Sequence, residues 1–434
     1  MISLASAALV FPFNGVPWLA QTILIVAFAE IVAMCAWTLA LFVRGRRAVA
    51  RAPAPRASGA DAFSWVFLVA AMNEEITIGD SVERLLALEV ARRKIIVIDD
   101  GSDDRTPEIL AGLEHPDLSV LRRDLPNARK GKGQGLNAAY HQIRELLPDA
   151  DREHVIVVVV DADGRISPDA LPFVAAHFED PAVGGVQTLV RIYNRGGFLT
   201  NMQDVEFSIY GNVYQAGKNG EGTAGMGGNG QFNRLTALDT IVEDAGPWRN
   251  RLTEDQDLGL RLLAAGWRSH QDVRAEVRQQ GVPRLRPLLR QRTRWAQGNL
   301  QSIDLLGATL RSPFSLWARL EEAFYLFMPL WQSLVGLGFV TAVVLWLTGA
   351  VGLVPSAETI PLVYVLGFSN GVLGCFAARQ SSGWRSWLRA TVLAHLYALY
   401  TWILFPVLVR SLARQLTTRR DWSRTEREPL GAAR

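Results

Sequence analysis

The sequence predicts an α/β domain with a mostly parallel sheet, carried on α-helices that cross a membrane. Three observations lead there. Strand-like and helix-like stretches alternate from Ser64 onward, long apolar runs flank that block, and acidic pairs stand where the most apolar strands end. With 434 residues the chain is too long for one ordinary domain.

The apolar runs come first. Trp18–Val43 and Phe327–Gly349 are each long enough to cross about 30 Å of hydrocarbon. Ile360–Ala378 and Trp387–Val409 are weaker, being interrupted by Gly, polar residues or Pro. The first run is longer than a signal-peptide core and follows no Lys or Arg, so a retained anchor is expected. "RGRRAVAR" follows it directly, which places the polar block on the cytoplasmic side of the cell membrane. The expected organisation is an N-terminal transmembrane helix (1–43), a linker (44–62), the α/β domain (63–312), an interfacial amphipathic helix (313–326), C-terminal transmembrane helices (327–410) and a basic tail (411–434). Three C-terminal spans would put that basic tail outside, against the charge rule, so either one of the last two segments does not cross or the tail breaks the rule, with a cytoplasmic tail the favoured expectation.

Within the domain, Ser64–Met72 reads as a strand and Thr77–Arg93 as a helix. Lys94–Asp100 is a strand, Asp103–His115 a helix, Leu118–Asp124 a strand and Lys132–Leu146 a helix. His154–Asp163 is the most apolar strand, with six β-branched residues from Val155 to Val160. Ligands of such sheets sit beyond the carboxyl ends of the strands, where Asp99, Asp100, Asp161 and Asp163 fall. Cys35 and Cys375 both lie in membrane segments and supply no disulfide framework or zinc spacing. The net charge of +3 is small and the basic residues gather at membrane boundaries, which favours membrane lipids over nucleic acid as a partner.

Asp161 and Asp163 repel each other unless a cation lies between them. Mg²⁺ or Mn²⁺ would be held by such carboxylates together with phosphate oxygens, whereas a solvated turn needs no ion. Asp99-Asp100 followed by Gly101 and Ser102 repeats the pattern, and a carboxylate there can accept from a ribose or a uracil N–H; Asp103 or Asp104 capping a helix is the plainer reading. "RKGKGQGLN" (Arg129–Asn137) fits neither phosphate-loop pattern; Lys132 contacts a diphosphate, or the segment is simply a flexible loop. Glu254 and Asp255 open a helix, as a general base or as acids favoured by the helix dipole. In "QRTRW" (Gln291–Trp295), the Arg-Trp pair is a membrane anchor or a phosphate contact with a flat sugar platform.

Taken together, "AAMNEE", "VIDDGSDDRT", "KGKGQGLN", "VVDADG", "GGNGQFNRLTAL", "TEDQDLGLRL" and "QRTRW" resemble the membrane-embedded processive branch of family 2 glycosyltransferases, with a Rossmann-like GT-A fold. That branch includes cellulose, chitin-oligosaccharide, hyaluronan and poly-N-acetylglucosamine synthases. The resemblance covers roughly Trp65 to Leu310. It implies Glu74 and Asp100 at the uridine, near the backbone of Ala71, with Lys132, Asp161, Gln291 and Arg294 on the donor. It implies Asp161 and Asp163 on the metal, Asp255 as catalytic base beside Glu254, and Trp295, Asn229 and Gln231 toward the acceptor. "AAMNEE" departs from the family where an aromatic commonly precedes Asn. The implied activity is inverting, metal-dependent transfer from a UDP-sugar to a growing β-linked polysaccharide with coupled export. The alternative is hexose transfer to a lipid acceptor. A transporter or nucleotide-gated channel is a third class, and it would need no base. The residues carry no signal for the sugar, the linkage or the oligomeric state.

Overall fold

The computed structural model describes residues 16–56, 59–351, 360–378 and 383–417. An eight-stranded sheet lies at its centre. The strands are β1 (Ser64–Ala71), β2 (Arg93–Asp99), β3 (Leu118–Arg122), β4 (Val155–Asp161), β5 (Arg165–Ile166), β6 (Val183–Ile192), β7 (Gln231–Arg234) and β8 (Arg268–Gln279). Their spatial order is β3-β2-β1-β4-β7-β6-β8-β5. The β3-β2-β1-β4 half is wholly parallel, as the strand–helix alternation predicts. The other half is mixed: β7 runs antiparallel between β4 and β6, and β5 antiparallel to β8.

The continuous apolar strands follow from burial on both faces. In β4, Ile156, Val158 and Val160 face one core layer while Val155, Val157 and Val159 face the other. Burying one such side chain is worth about 1.5–3 kcal/mol, so a run of six anchors the strand firmly enough to hold a charged end at its mouth. One layer packs against Ile78–Leu86 and Ala170–Phe178, the other against Lys132–Leu146 and Glu254–Ala264. The helices expected at Thr77–Arg93 and Asp103–His115 are shorter, Ile78–Leu86 and Thr106–Ala111. Lys132–Leu146 matches its expected bounds.

The first apolar helix, α1 (Trp18–Ala50), extends past the end expected at Val43. At about 1.5 Å per residue it outreaches a bilayer, and its last turns lie on the α/β domain. Arg44 Nη2 is 2.6 Å from Glu221 Oε1, and Leu41 is fully buried there. That docking keeps the start of the expected linker helical. Four helices among the described residues are long and apolar enough to cross a membrane: Trp18–Ala50, Met328–Leu347, Ile360–Ala378 and Trp384–Leu416. The last is broken at Phe405, where Pro406 starts a new helix, Pro406–Leu416. This helix takes in the first residues of the expected tail and returns to the α/β domain, where Arg414 Nε donates to Gln297 Oε1 at 2.9 Å. The rest of the basic tail lies outside the described residues.

The segment 313–326, expected to be an interfacial helix, contains the helix Leu316–Leu326, begun by Ser315, whose hydroxyl accepts from Ala318 N–H. Its polarity is the reverse of a soluble helix. Leu316, Trp317 and Leu320 are exposed, whereas Glu321 and Glu322 are buried. Lys218 Nζ lies between the two acids, 3.2 Å from Glu321 and 2.9 Å from Glu322. An outward apolar face suits the headgroup boundary of a bilayer.

Candidate active site

The parallel register brings the strand ends together. Ala71 pairs with Asp99 on one side, and its neighbour Ala70 with Asp161 on the other. Asp99 is buried and structural: it accepts from Ser102 N–H and pairs with Arg122. Asp100 turns toward the cavity, held by Arg123 Nη1 at 2.5 Å and Arg129 N–H at 3.0 Å. Burial outweighs these donors and lifts its carboxyl above the usual range. Glu74 is also buried and accepts from Thr77 Oγ1.

The turn after β4 is braced from behind. Asn229 Oδ1 accepts from Asp161 N–H, and Asn229 Nδ2 donates to Gln279 Oε1. Asp163 Oδ2 accepts from Gln280 N–H at 2.8 Å. Asp161 is the accessible member of the pair. Lys132 Nζ bonds its Oδ1 at 2.6 Å and the carbonyl of Gly228 at 2.7 Å, and stands 3.8 Å from Glu254. Burial alone would lower the Lys132 ammonium, but Asp161 and Glu254 hold it above its ordinary value.

The helix Glu254–Ala264 presents Glu254 and Asp255 from its first turn. Burial pushes Glu254 up to about 7, against Lys132 and with Asp255, and raises Asp255 as well. A Cβ on Gly228 would lie 3.1 Å from Asp255 Oδ2 and 3.4 Å from Lys132 Nζ, so glycine permits this close approach. On the facing helix, Leu285–Gln301, Gly298 packs against Thr253, where a Cβ would come within 2.4 Å of Oγ1. That contact sets Arg294 opposite the acids. Burial lowers its guanidinium, while Glu254, Asp255 and Asp161 favour its charge from a distance. Among the described residues Arg294 makes no ion pair within 4 Å.

Ala71, Glu74, Asp100, Lys132, Asp161, Asp163, Asn229, Glu254, Asp255, Gln291, Arg294 and Trp295 all line one cavity of about 1380 Å³. Gln231 does not: its side chain is buried in β7, between β4 and β6. Both polar ends of the Asn229 side chain are committed to the Asp161 turn and Gln279. Gln231 thus stands away from the cavity as a residue of an inner strand, while Asn229, in the turn before β7, borders the cavity and braces the Asp161 turn. The same cavity continues past Tyr210 and Tyr325, whose hydroxyls are 2.9 Å apart, between the apolar helices long enough to cross a membrane.

Residues 64–298, more than half of the chain, match the family described as "Glycosyltransferase like family 2". The chain belongs to this family. This glycosyltransferase is 35% identical over 240 residues to the beta-monoglucosyldiacylglycerol synthase of Synechocystis sp., covering 54% of this chain and 47% of that protein. It is 29% identical over 290 residues to the poly-beta-1,6-N-acetyl-D-glucosamine synthase of Staphylococcus aureus, covering 65% and 63%. The glycosyltransferase thus spans about half to under two thirds of the length of these curated relatives. A solved mannosyltransferase from Pyrobaculum calidifontis, in complex with GDP-Man and Mn²⁺, covers 92% of this chain and all of that one. Its TM-score is 0.60 at 17% identity, a likeness of fold.

Sequence reasoning missed Arg292, Glu206 and Tyr210, which line the cavity of this glycosyltransferase, and Tyr400 buried behind them. Arg292 stands inside "QRTRW" yet faces Glu206 rather than the acids. Glu206 and Tyr400 come from distant segments with no motif around them. Tyr210 opens a π-helical stretch, Tyr210–Gln215, and such wide turns gather at functional sites, but no local pattern announces one.

Proposed function

We propose that this glycosyltransferase moves a hexose from a UDP-sugar to the hydroxyl of a lipid acceptor presented from the membrane, inverting the anomeric centre. One observation carries the reading: the polar pocket and an apolar slot between the membrane helices are a single cavity. Leu24, Ile31, Val335, Phe339 and Leu366 line the slot. Acyl chains lose nothing against these side chains, whereas each sugar hydroxyl of a polymer would exchange water for the few polar groups there, such as Gln332, Asn370 and Thr401. The name of the Synechocystis relative supports a diacylglycerol as the lipid. Growth and export of a β-linked polysaccharide is the second reading, supported by the name of the Staphylococcus relative.

The residues divide the work as follows. Asp100 and Glu74 line the end of the pocket suited to the nucleoside. Arg294, a buried cation facing the cavity, attracts the diphosphate and stabilises charge developing on it. Asp255 accepts the proton of the attacking hydroxyl, its raised affinity for protons bringing it closer to working pH. Glu254 and Lys132 set the field around it. Trp295 offers a flat face to the acceptor.

Asp161 and Asp163 would hold Mg²⁺ or Mn²⁺. Among the described residues no group of three or more His, Cys, Asp or Glu forms a metal cage. A two-carboxylate set suits a hard ion that completes its shell with diphosphate oxygens, so the donor set fits. When bound, the ion neutralises charge on the leaving group.

The test is turnover by the full chain in detergent, with radiolabelled UDP-hexoses, Mg²⁺ or Mn²⁺, and dioleoylglycerol in mixed micelles. An organic-extractable labelled product that disappears with chelator is expected. Label only in an aqueous or insoluble polymer overturns the lipid reading, and transfer unaffected by chelator overturns the roles of Asp161 and Asp163.

A further inference from the structure

The signature helix Leu285–Gln301 carries two arginines of different fate. Arg294 faces the acids. Arg292 turns the other way, and its Nη2 donates to Glu206 Oε2 at 2.6 Å. The hydroxyl of Tyr400, from the membrane helix Trp384–Leu404, donates to the same oxygen at 2.8 Å. Tyr400 is fully buried, and the Arg292 side chain is only 8% exposed. The Arg292 guanidinium lies 4.2 Å over the indole of Trp295 and 5.4 Å over the ring of Phe207. The two rings meet edge to face, 6.1 Å between centroids. Glu206, Phe207, Arg292 and Trp295 all border the cavity.

A buried guanidinium needs its counter-charge, and an indole face backed by a cation is held more firmly than one packed on solvent. We propose that Glu206 and Tyr400 are positioning residues for the acceptor. They hold Arg292 flat against Trp295, so a membrane helix sets the angle of the platform on which the acceptor rests. The arrangement ties the helix Trp384–Leu404 to the helix bearing Arg294 and Trp295 through one carboxylate oxygen. Neither residue touches the donor side of the pocket, where Asp100, Lys132 and Arg294 stand. This inference rests on the reading of Trp295 as the acceptor platform.

The experiment compares Glu206→Gln, Tyr400→Phe and Trp295→Phe, singly and combined, as full chains in detergent. The probes are dioleoylglycerol and the UDP-hexose that turns over. Each of the first two is expected to raise the acceptor KM about tenfold, the effect of losing one charge-assisted hydrogen bond. The donor KM and UDP affinity stay unchanged. In the Trp295→Phe background the added loss from Glu206→Gln vanishes, since both act through one ring. Equal rises in donor and acceptor KM overturn the proposal, as do strictly additive losses. So does lower yield of folded protein whose constants are otherwise normal, because that is a structural role alone. Should Trp295→Phe leave the acceptor KM intact while the other two variants do the same, the platform reading fails and takes this inference with it. A rise for Trp295→Phe alone keeps the platform and rejects the positioning.

Discussion

Lys132 and Asp161 stand 2.6 Å apart, the first residue of one helix against the last residue of strand β4. The ammonium also pulls down the proton affinity of Glu254 and Asp255, which burial pushes up. Removing it leaves burial unopposed. Lys132→Met should therefore move the acid limb of the kcat/KM profile to higher pH. The sign is fixed, because an acid with raised affinity loses its proton later as pH rises. A pH series on the variant and the parent checks it, and a shift to lower pH would sink the assignment of Lys132.

Asp255→Asn removes the proton acceptor but keeps shape and hydrogen-bonding capacity. Turnover should fall about 10²–10⁴-fold. UDP binding, followed by calorimetry, should persist, since the donor contacts lie elsewhere in the cavity. A channel or transporter reading predicts the reverse, with function intact in the variant.

Gly298→Ala places a methyl group against the Thr253 hydroxyl, where a Cβ would be 2.4 Å away. Overpacking of this kind costs about 1–3 kcal/mol. The helices bearing Asp255 and Arg294 would be forced apart, so turnover should fall along with the thermal midpoint. Adding Thr253→Ala, which clears the hydroxyl, should recover part of both. A variant with normal midpoint and normal turnover would show that the contact does not set the site.

Lys218→Met leaves Glu321 and Glu322 buried without their cation. Burial, against Lys218 and with Glu322, already pushes Glu321 up to about 7. Loss of one member of a buried ion group costs about 3–5 kcal/mol. The thermal midpoint of Lys218→Met should drop most at alkaline pH, where a charged Glu321 has lost its counter-ion, and less below pH 7, where Glu321 is protonated. Replacing Glu321 and Glu322 by Gln in the same chain should restore it.

The sequence by itself determined the parallel half of the sheet and the acids at its strand ends. Those features are local: six β-branched residues in a row have few places to go except an inner strand, and a charge that follows them must surface at the strand's end. The bounds of Lys132–Leu146 were legible for the same reason. Tertiary structure decided everything made by pairing distant segments. The insertion of β7 beside β4 buried Gln231 inside the sheet, away from the cavity. Glu206 meets Arg292 and Tyr400 across 86 and 194 residues, and Lys218 meets Glu322 across 104. A buried charge names the kind of partner it needs but not the segment that brings it. That choice belongs to the packing of helices whose own periodicities are satisfied in many arrangements.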